Sequence, residues 1–306
     1  MVLPARVIVK EVGPRDGLQN ESSFLATDAK VEFVNRLSSC GFKFIEVTSF
    51  VAPKWIPQLA DAEEILRRID RRVGVEYSAL VPNERGLERA FRANVDAVGV
   101  FISASESHNR KNMNKSIDET FAALKPVVYA ANSLHKRVRG YVSTAFGCPY
   151  EGDISVEQVL KVMERLLEMG VDEISIGDTI GTAIPSHVIL LTKEIAKRVS
   201  LDSISLHFHD THGTAIANVY AGLLSGIWKF DGSIGGLGGC PYAPGASGNV
   251  ATDDLLYFLH KLGIETGINE ALLAETAKWF EDAIGKPLMS HSRAIARGQE
   301  RIDACG

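Results

Sequence analysis

Met169-Gly170-Val171-Asp172-Glu173-Ile174-Ser175-Ile176 closes an amphipathic helix on a glycine and runs straight into an apolar strand. Glycine tolerates the left-handed backbone that ends a helix, so Gly170 marks a helix C-terminus feeding a strand. The same register returns at Cys40-Gly41-Phe42-Lys43-Phe44-Ile45-Glu46-Val47 and at Gly226-Ile227-Trp228-Lys229-Phe230. A further copy, Asn94-Val95-Asp96-Ala97-Val98-Gly99-Val100, has asparagine in the glycine position. Extended along the chain, the rhythm predicts strands near 6–12, 43–48, 73–80, 96–102, 137–144, 172–177, 203–209 and 229–234. Helices are expected between them, near 28–40, 58–71, 83–93, 117–133, 155–169, 185–199, 214–225 and 251–262. Ser155-Val156-Glu157-Gln158 has the S-x-x-Q form of a capping box and marks one helix start.

Eight strand–helix alternations with Val/Ile-rich strands point to the α/β class and a closed (β/α)8 barrel. A doubly wound open sheet is the alternative, but the first turn, Val12-Gly13-Pro14-Arg15-Asp16-Gly17, lacks the G-x-G-x-x-G form such sheets often carry. The 306 residues suit one catalytic domain over 1–306, with the barrel at about 5–264 and a C-terminal appendage at 265–306 that is helical from Ala271 to Ala283.

Composition bounds the function. Apolar content of 45% and charged content of 23% are those of a soluble globular protein. No apolar run approaches the roughly 20 residues of a membrane span. A net charge of −5 provides no basic field, which argues against nucleic acid as a partner. Cys40, Cys148, Cys240 and Cys305 are widely separated, as expected in a reducing compartment. Strand-like sequence by Arg6 leaves no room for a targeting peptide, so the expected location is cytoplasmic.

Barrel enzymes carry their chemistry at the C-terminal ends of the strands. Arg15-Asp16 follow the first strand, Glu46 and Thr48 lie on the second, and Tyr141, Ser143 and Thr144 on the fifth. Asp178 ends the sixth, His207 and His209 end the seventh, and the eighth leads into a loop bearing Cys240 and Asn249. Side chains two apart on a strand share a face, so His207 and His209 can present two imidazoles to one point. A hydrogen-bonded polar pair is the plainer reading. With Asp16 and the amide oxygen of Asn249 the pair would form a mixed nitrogen–oxygen set, favouring Mg2+ or Mn2+ with Zn2+ or Co2+ as alternatives. Asp16 could instead pair only with Arg15, and Asn249 could cap the helix after it. Asp178 and Asp210 would orient ligands or cap helices, and His212 is read as a loop residue.

Gly235-Gly236-Leu237-Gly238-Gly239-Cys240-Pro241-Tyr242-Ala243-Pro244-Gly245-Ala246-Ser247-Gly248-Asn249 lacks the ending of a phosphate loop. It suits a lid with glycine hinges and a thiol at its tip, Cys240 being either an inert cysteine or a catalytic acid or nucleophile. Ser107 to Lys115 reads as a loop, either merely solvated or a site where Arg110, Lys111, Asn112 and Lys115 meet substrate phosphates.

Four of these segments together resemble the 3-hydroxy-3-methylglutaryl-CoA lyases: Gly13-Pro14-Arg15-Asp16-Gly17-Leu18-Gln19-Asn20-Glu21, Phe44-Ile45-Glu46-Val47-Thr48-Ser49-Phe50, His207-Phe208-His209-Asp210-Thr211 and Gly238-Gly239-Cys240-Pro241-Tyr242-Ala243. The last is the most specific. The wider group of metal-dependent barrel lyases and Claisen-type synthases shares the Arg-Asp and H-x-H pieces but not the Cys loop. The resemblance implies cleavage of 3-hydroxy-3-methylglutaryl-CoA to acetyl-CoA and acetoacetate, as in leucine degradation and ketone-body formation. It implies a divalent cation on Asp16, His207, His209 and Asn249, and catalytic roles for Arg15, Asp16, Glu46, His207 and Cys240. It places Arg15, Gln19, Tyr141 and Asp178 along the substrate and gives a homodimer as the expected assembly. A larger 3-hydroxy-3-alkylglutaryl-CoA substrate, or Claisen-type condensation of an acyl-CoA, is the alternative. Two departures from the family pattern are Ile234-Gly235 ahead of the Cys loop and His212 after the H-x-H segment.

Overall fold

The computed structural model describes residues 3–21, 24–240 and 243–305. β1 (Ile8–Glu11), β2 (Phe44–Ser49), β3 (Glu76–Leu80), β4 (Ala97–Ser103), β5 (Arg137–Ser143), β6 (Glu173–Asp178), β7 (Ile204–Phe208) and β8 (Lys229–Gly232) form one closed parallel barrel. The seam between β8 and β1 is in register from Ile8 opposite Lys229 to Glu11 opposite Gly232. The helices are α1 (Thr27–Ser39), α2 (Ala62–Arg68), α3 (Glu84–Arg92), α4 (Glu106–Met113), α5 (Ile117–Ser133), α6 (Val156–Glu168), α7 (Pro185–Ala196), α8 (Ala215–Leu224) and α9 (Thr252–Lys261). Past the barrel, α10 (Glu270–Ile284) stacks Phe280 on Phe33 of α1 with ring centroids 4.0 Å apart, and α11 (His291–Cys305) follows. No helix among the described residues is long and apolar enough to cross a membrane.

Gly41, Gly170, Gly226 and Asn94 all take positive φ, at 101°, 98°, 90° and 59°. The left-handed turn expected at each helix-to-strand junction is therefore present. The Ser155 hydroxyl caps α6 by accepting from the Gln158 N–H at 3.2 Å.

The strands are less apolar than their Val/Ile content suggests. Val138, Ile174, Leu206 and Phe230 alternate with Arg139, Glu173, Ser205 and Asp231, the usual two-residue period. Lys10 on β1 pairs with Glu173 on β6, and Arg139 on β5 reaches Asp231 on β8 at 2.6 Å. These strands are not neighbours, so the bonds cross the barrel interior. Lys229 also reaches Glu173, at 3.0 Å. Buried charges are tolerated only when closely paired, and here each carboxylate meets more than one donor.

Candidate active site

After β1 the chain makes a single π-helical turn, Gly13–Gly17, with the Asp16 N–H donating to Val12 O at 2.7 Å. Such turns often mark functional sites because they re-aim side chains. Here the turn buries Arg15 and Asp16 side by side. The Arg15 Nε donates to Glu46 Oε2 at 2.6 Å and its Nη1 donates to Asp16 Oδ1. The guanidinium also lies 5.4 Å from the Tyr141 ring centroid. Gln19 Nε2 donates to Asp16 Oδ1 at 2.9 Å, and Asn249 Nδ2 donates to Asp16 Oδ2, also at 2.9 Å.

His207 and His209 meet Asp16 from β7. His207 Nε2 is 3.8 Å from Asp16 Oδ2, while its Nδ1 donates to Asp231 Oδ2 at 3.2 Å. His209 is bridged to Asn249 by backbone pairing, and Val250 N donates to Phe208 O at 2.9 Å, which seats the amide beside the imidazole. One ligand atom each from Asp16, His207 and His209 lies within 4.8 Å of the others. His209 Nδ1 and Asn249 Oδ1 are buried without a hydrogen-bond partner among the described residues. Leaving such atoms unmet costs roughly 1–3 kcal/mol each. Two nitrogens, a carboxylate and an unmet amide oxygen fit a divalent cation that would supply the missing contacts.

The electrostatics of Asp16 and His209 favour that use. Burial raises the Asp16 carboxyl, but Arg15 and the two imidazoles outweigh it and hold the group at about 2. Burial, with His207 adding to it, lowers His209 to about 4, so its ring is neutral and able to ligate. Burial also lowers His207, yet the Asp231 bond, Asp231's charge and Asp16 leave it raised overall. Glu46 is raised by burial despite Arg15.

Cys240 closes β9 (Gly239–Cys240), which pairs antiparallel with β10 (Ala243–Ser247); its side chain, with Pro241 and Tyr242, lies outside the described residues. The glycine-rich stretch is thus a short hairpin, and two of its glycines are set by close approach. Gly238 has φ 103°, and a Cβ there would meet Gly17 Cα at 3.1 Å and Asp16 O at 3.3 Å. A Cβ on Gly248 would fall 1.6 Å from Gly238 O. The hairpin base is wedged against the Arg15-Asp16 turn.

The remaining expected residues divide. Asn249 does not cap α9, whose cap position is Ala251; its amide is spent on Asp16. Asp178 holds its own turn, accepting from Thr182 N and Ala183 N at 3.0 Å each, and burial raises it to about 6. Asp210 accepts from Ala215 N at 2.9 Å, at the start of α8, and His212 is exposed. Residues 107–115 are mostly helical, not a loop: Ser105 caps α4 by accepting from His108 N at 3.0 Å, and Asn114 ends it at φ 54°. On α4, Arg110 is paired with Glu106 at 2.8 Å, Lys111 lies 3.9 Å over the Tyr150 ring, and Asn112 is exposed.

Asp231, Arg139 and Glu11 stand outside the expected set, though the alternation Lys229-Phe230-Asp231 marks Asp231 as facing inward. Thr144 is a β-branched residue at φ 57°, a strained backbone held by a bond from its N–H to Thr179 Oγ1 at 2.8 Å.

A parallel barrel whose C-terminal mouth gathers an Asp, two His and a clamped Arg defines a barrel enzyme with a candidate divalent-cation centre. The chain belongs to the HMGL-like family, whose model matches residues 6–279. It is 51% identical over 295 residues to hydroxymethylglutaryl-CoA lyase YngG of Bacillus subtilis, covering 96% of this chain and 99% of that protein. The crystal structure of Bacillus subtilis HMG-CoA lyase superposes with a TM-score of 0.96 at 50% identity, over 97% of this chain and 100% of that one. An HMG-CoA lyase from Acinetobacter baumannii, solved with coenzyme A and 3-methylmalate, matches with a TM-score of 0.91 at 38% identity, over 95% of each chain.

Proposed function

We infer that the chain cleaves 3-hydroxy-3-methylglutaryl-CoA to acetyl-CoA and acetoacetate. The observation that carries this is Arg15 fixed beside the Asp16–His207–His209 cluster at one mouth, in a chain 51% identical to a hydroxymethylglutaryl-CoA lyase. Asp16, His207, His209 and Asn249 would hold Mg2+ or Mn2+. When bound, the cation acidifies the substrate's tertiary hydroxyl and anchors it beside the carboxylate.

The protein's own groups do the rest. Asp16 takes the hydroxyl proton, since His207 would have Nδ1 on Asp231 and Nε2 on the cation. The bond between C2 and C3 breaks, its electron pair passes into the thioester enolate, and acetoacetate is released. Arg15, held in place by Glu46 and Asp16, faces the enolate oxygen, a contact of a kind worth roughly 3 kcal/mol per donor. Cys240 on the hairpin gives its proton to C2, completing acetyl-CoA. Gln19 and Tyr141 hold Asp16 and Arg15 in place, Asp178 holds the β6 turn at the mouth, and Arg110, Lys111 and Asn112 on α4 meet the coenzyme A phosphates.

Chelation tests the cation. EDTA should abolish turnover, and Mg2+ or Mn2+ should restore it. Full activity in metal-free protein would overturn the assignment.

A further inference from the structure

Three site-bearing stretches meet beside the end of β1: the turn with Arg15 and Asp16, and the two arms of the β8–α9 connection, one leading out into the Cys240 hairpin and one returning from Asn249 into α9. One side chain touches all three. Glu11, the last residue of β1, is fully buried and faces outward under α9. Its Oε1 accepts from Gly13 N at 2.9 Å, at the start of the Arg15-Asp16 turn, and from Ile234 N at 3.0 Å, at the root of the hairpin. Its Oε2 accepts from Thr252 Oγ1 at 2.7 Å, three residues after Asn249. The neighbouring backbone adds to the junction. Ser233 N donates to Val250 O and Thr252 N donates to Ser233 O, both at 3.0 Å, so the segments are already paired where Glu11 meets them. A Cβ on Gly13 would fall 2.6 Å from Glu11 Oε1, so glycine is required for the approach.

Glu11 has no salt bridge among the described residues, and burial pushes its carboxyl up to about 8 despite the three donors. Raised in this way, the carboxyl is mostly the neutral acid at neutral pH, so charge is not what it contributes. What the carboxyl group provides is shape: two fully buried oxygens that meet donors from three directions. An aliphatic side chain of the same size would leave Gly13 N, Ile234 N and the Thr252 hydroxyl unmet.

We propose that Glu11 is a positioning residue that fixes the Arg15-Asp16 turn, the root of the Cys240 hairpin and the Asn249 segment in one mutual arrangement. It touches neither substrate nor cation. This rests on the proposed lyase reading, but its test does not use lyase activity. The first readout is the affinity of metal-stripped protein for Mn2+, followed by the electron paramagnetic resonance of the free ion. The second is the rate at which iodoacetamide alkylates the Cys240 peptide, followed by mass spectrometry.

Glu11→Gln keeps an oxygen for both backbone donors and an amide that can donate to Thr252 Oγ1. It should hold both values near wild type. Glu11→Leu should weaken Mn2+ binding by about 10-fold, the scale seen when support behind metal ligands is removed, and should change the alkylation rate in the same protein. Thr252→Val, which removes one of the three bonds, should move both values in the same direction by less. It carries the test if Glu11→Leu does not fold. Folded Glu11→Leu with wild-type Mn2+ affinity and alkylation rate would overturn the proposal. So would Glu11→Gln as impaired as Glu11→Leu, or a Thr252→Val protein unchanged in both values when Leu cannot be made.

Discussion

At Asp231 one carboxylate accepts from Arg139 Nη2 at 2.6 Å, Ser175 Oγ at 3.0 Å and His207 Nδ1 at 3.2 Å. Burial raises its carboxyl, but Arg139 and His207 outweigh it and hold the group well below the usual range, so it stays ionised. An ionised acceptor at Nδ1 holds the ring with Nε2 toward Asp16, so Nε2 is the nitrogen that a cation would take in exchange for a proton. Asp231→Ala removes that acceptor and should lower Mn2+ affinity by about 10- to 100-fold, measured by titrating metal-stripped protein. An unchanged dissociation constant would mean that the β7 backbone alone orients the ring. His207 and His209 are legible in the sequence as a candidate ligand pair because H-x-H closing a strand is a motif. Asp231 and Glu11 carry none. Their roles depend on what lies across the barrel or under α9, which one strand's sequence does not state.

Among the elements, the junctions were the most legible and the polar helices the least. A positive φ at Gly41, Gly170, Gly226 and Asn94 follows from local steric preference, so it could be read locally. α4 shows no apolar period; it is made by its caps, Ser105 and Asn114, and so looks like a loop. α11 starts where Asp254 of α9 accepts from His291 N at 2.9 Å and Ser292 N at 2.8 Å, and Arg293 ties it to Glu281 at 2.6 Å. These are tertiary contacts with no local signature. The glycine-rich hairpin was legible as a special segment but not as paired strands, because its close approaches involve Gly17 and Asp16 far away in sequence. At this scale the coenzyme A assignment is testable. α4 follows β4 and therefore sits on the C-terminal side of the barrel, with Lys111 and Lys115 exposed. Replacing Arg110, Lys111 and Lys115 together by Ala should raise KM for the acyl-CoA several-fold with kcat little changed, because phosphate contacts bind ground and transition states alike. An unchanged KM would place the phosphates elsewhere.

For the whole molecule, the eight-fold alternation was sufficient to give the barrel because each parallel strand needs a helical crossover to reach the next. The charged interior was not apparent, since Lys10, Arg139, Glu173 and Asp231 become partners only when the sheet closes on itself. The same closure brings the ends of β1 and β7 to one point and makes a site from Asp16, His207 and His209. The central claim is that this mouth breaks a carbon–carbon bond. Purified protein with Mg2+ and 3-hydroxy-3-methylglutaryl-CoA, sampled over time for acetoacetate, acetyl-CoA and free coenzyme A, tests it directly. Acetoacetate and acetyl-CoA should appear in equal amounts without free coenzyme A; release of free coenzyme A without acetoacetate, or no product at all, would contradict it.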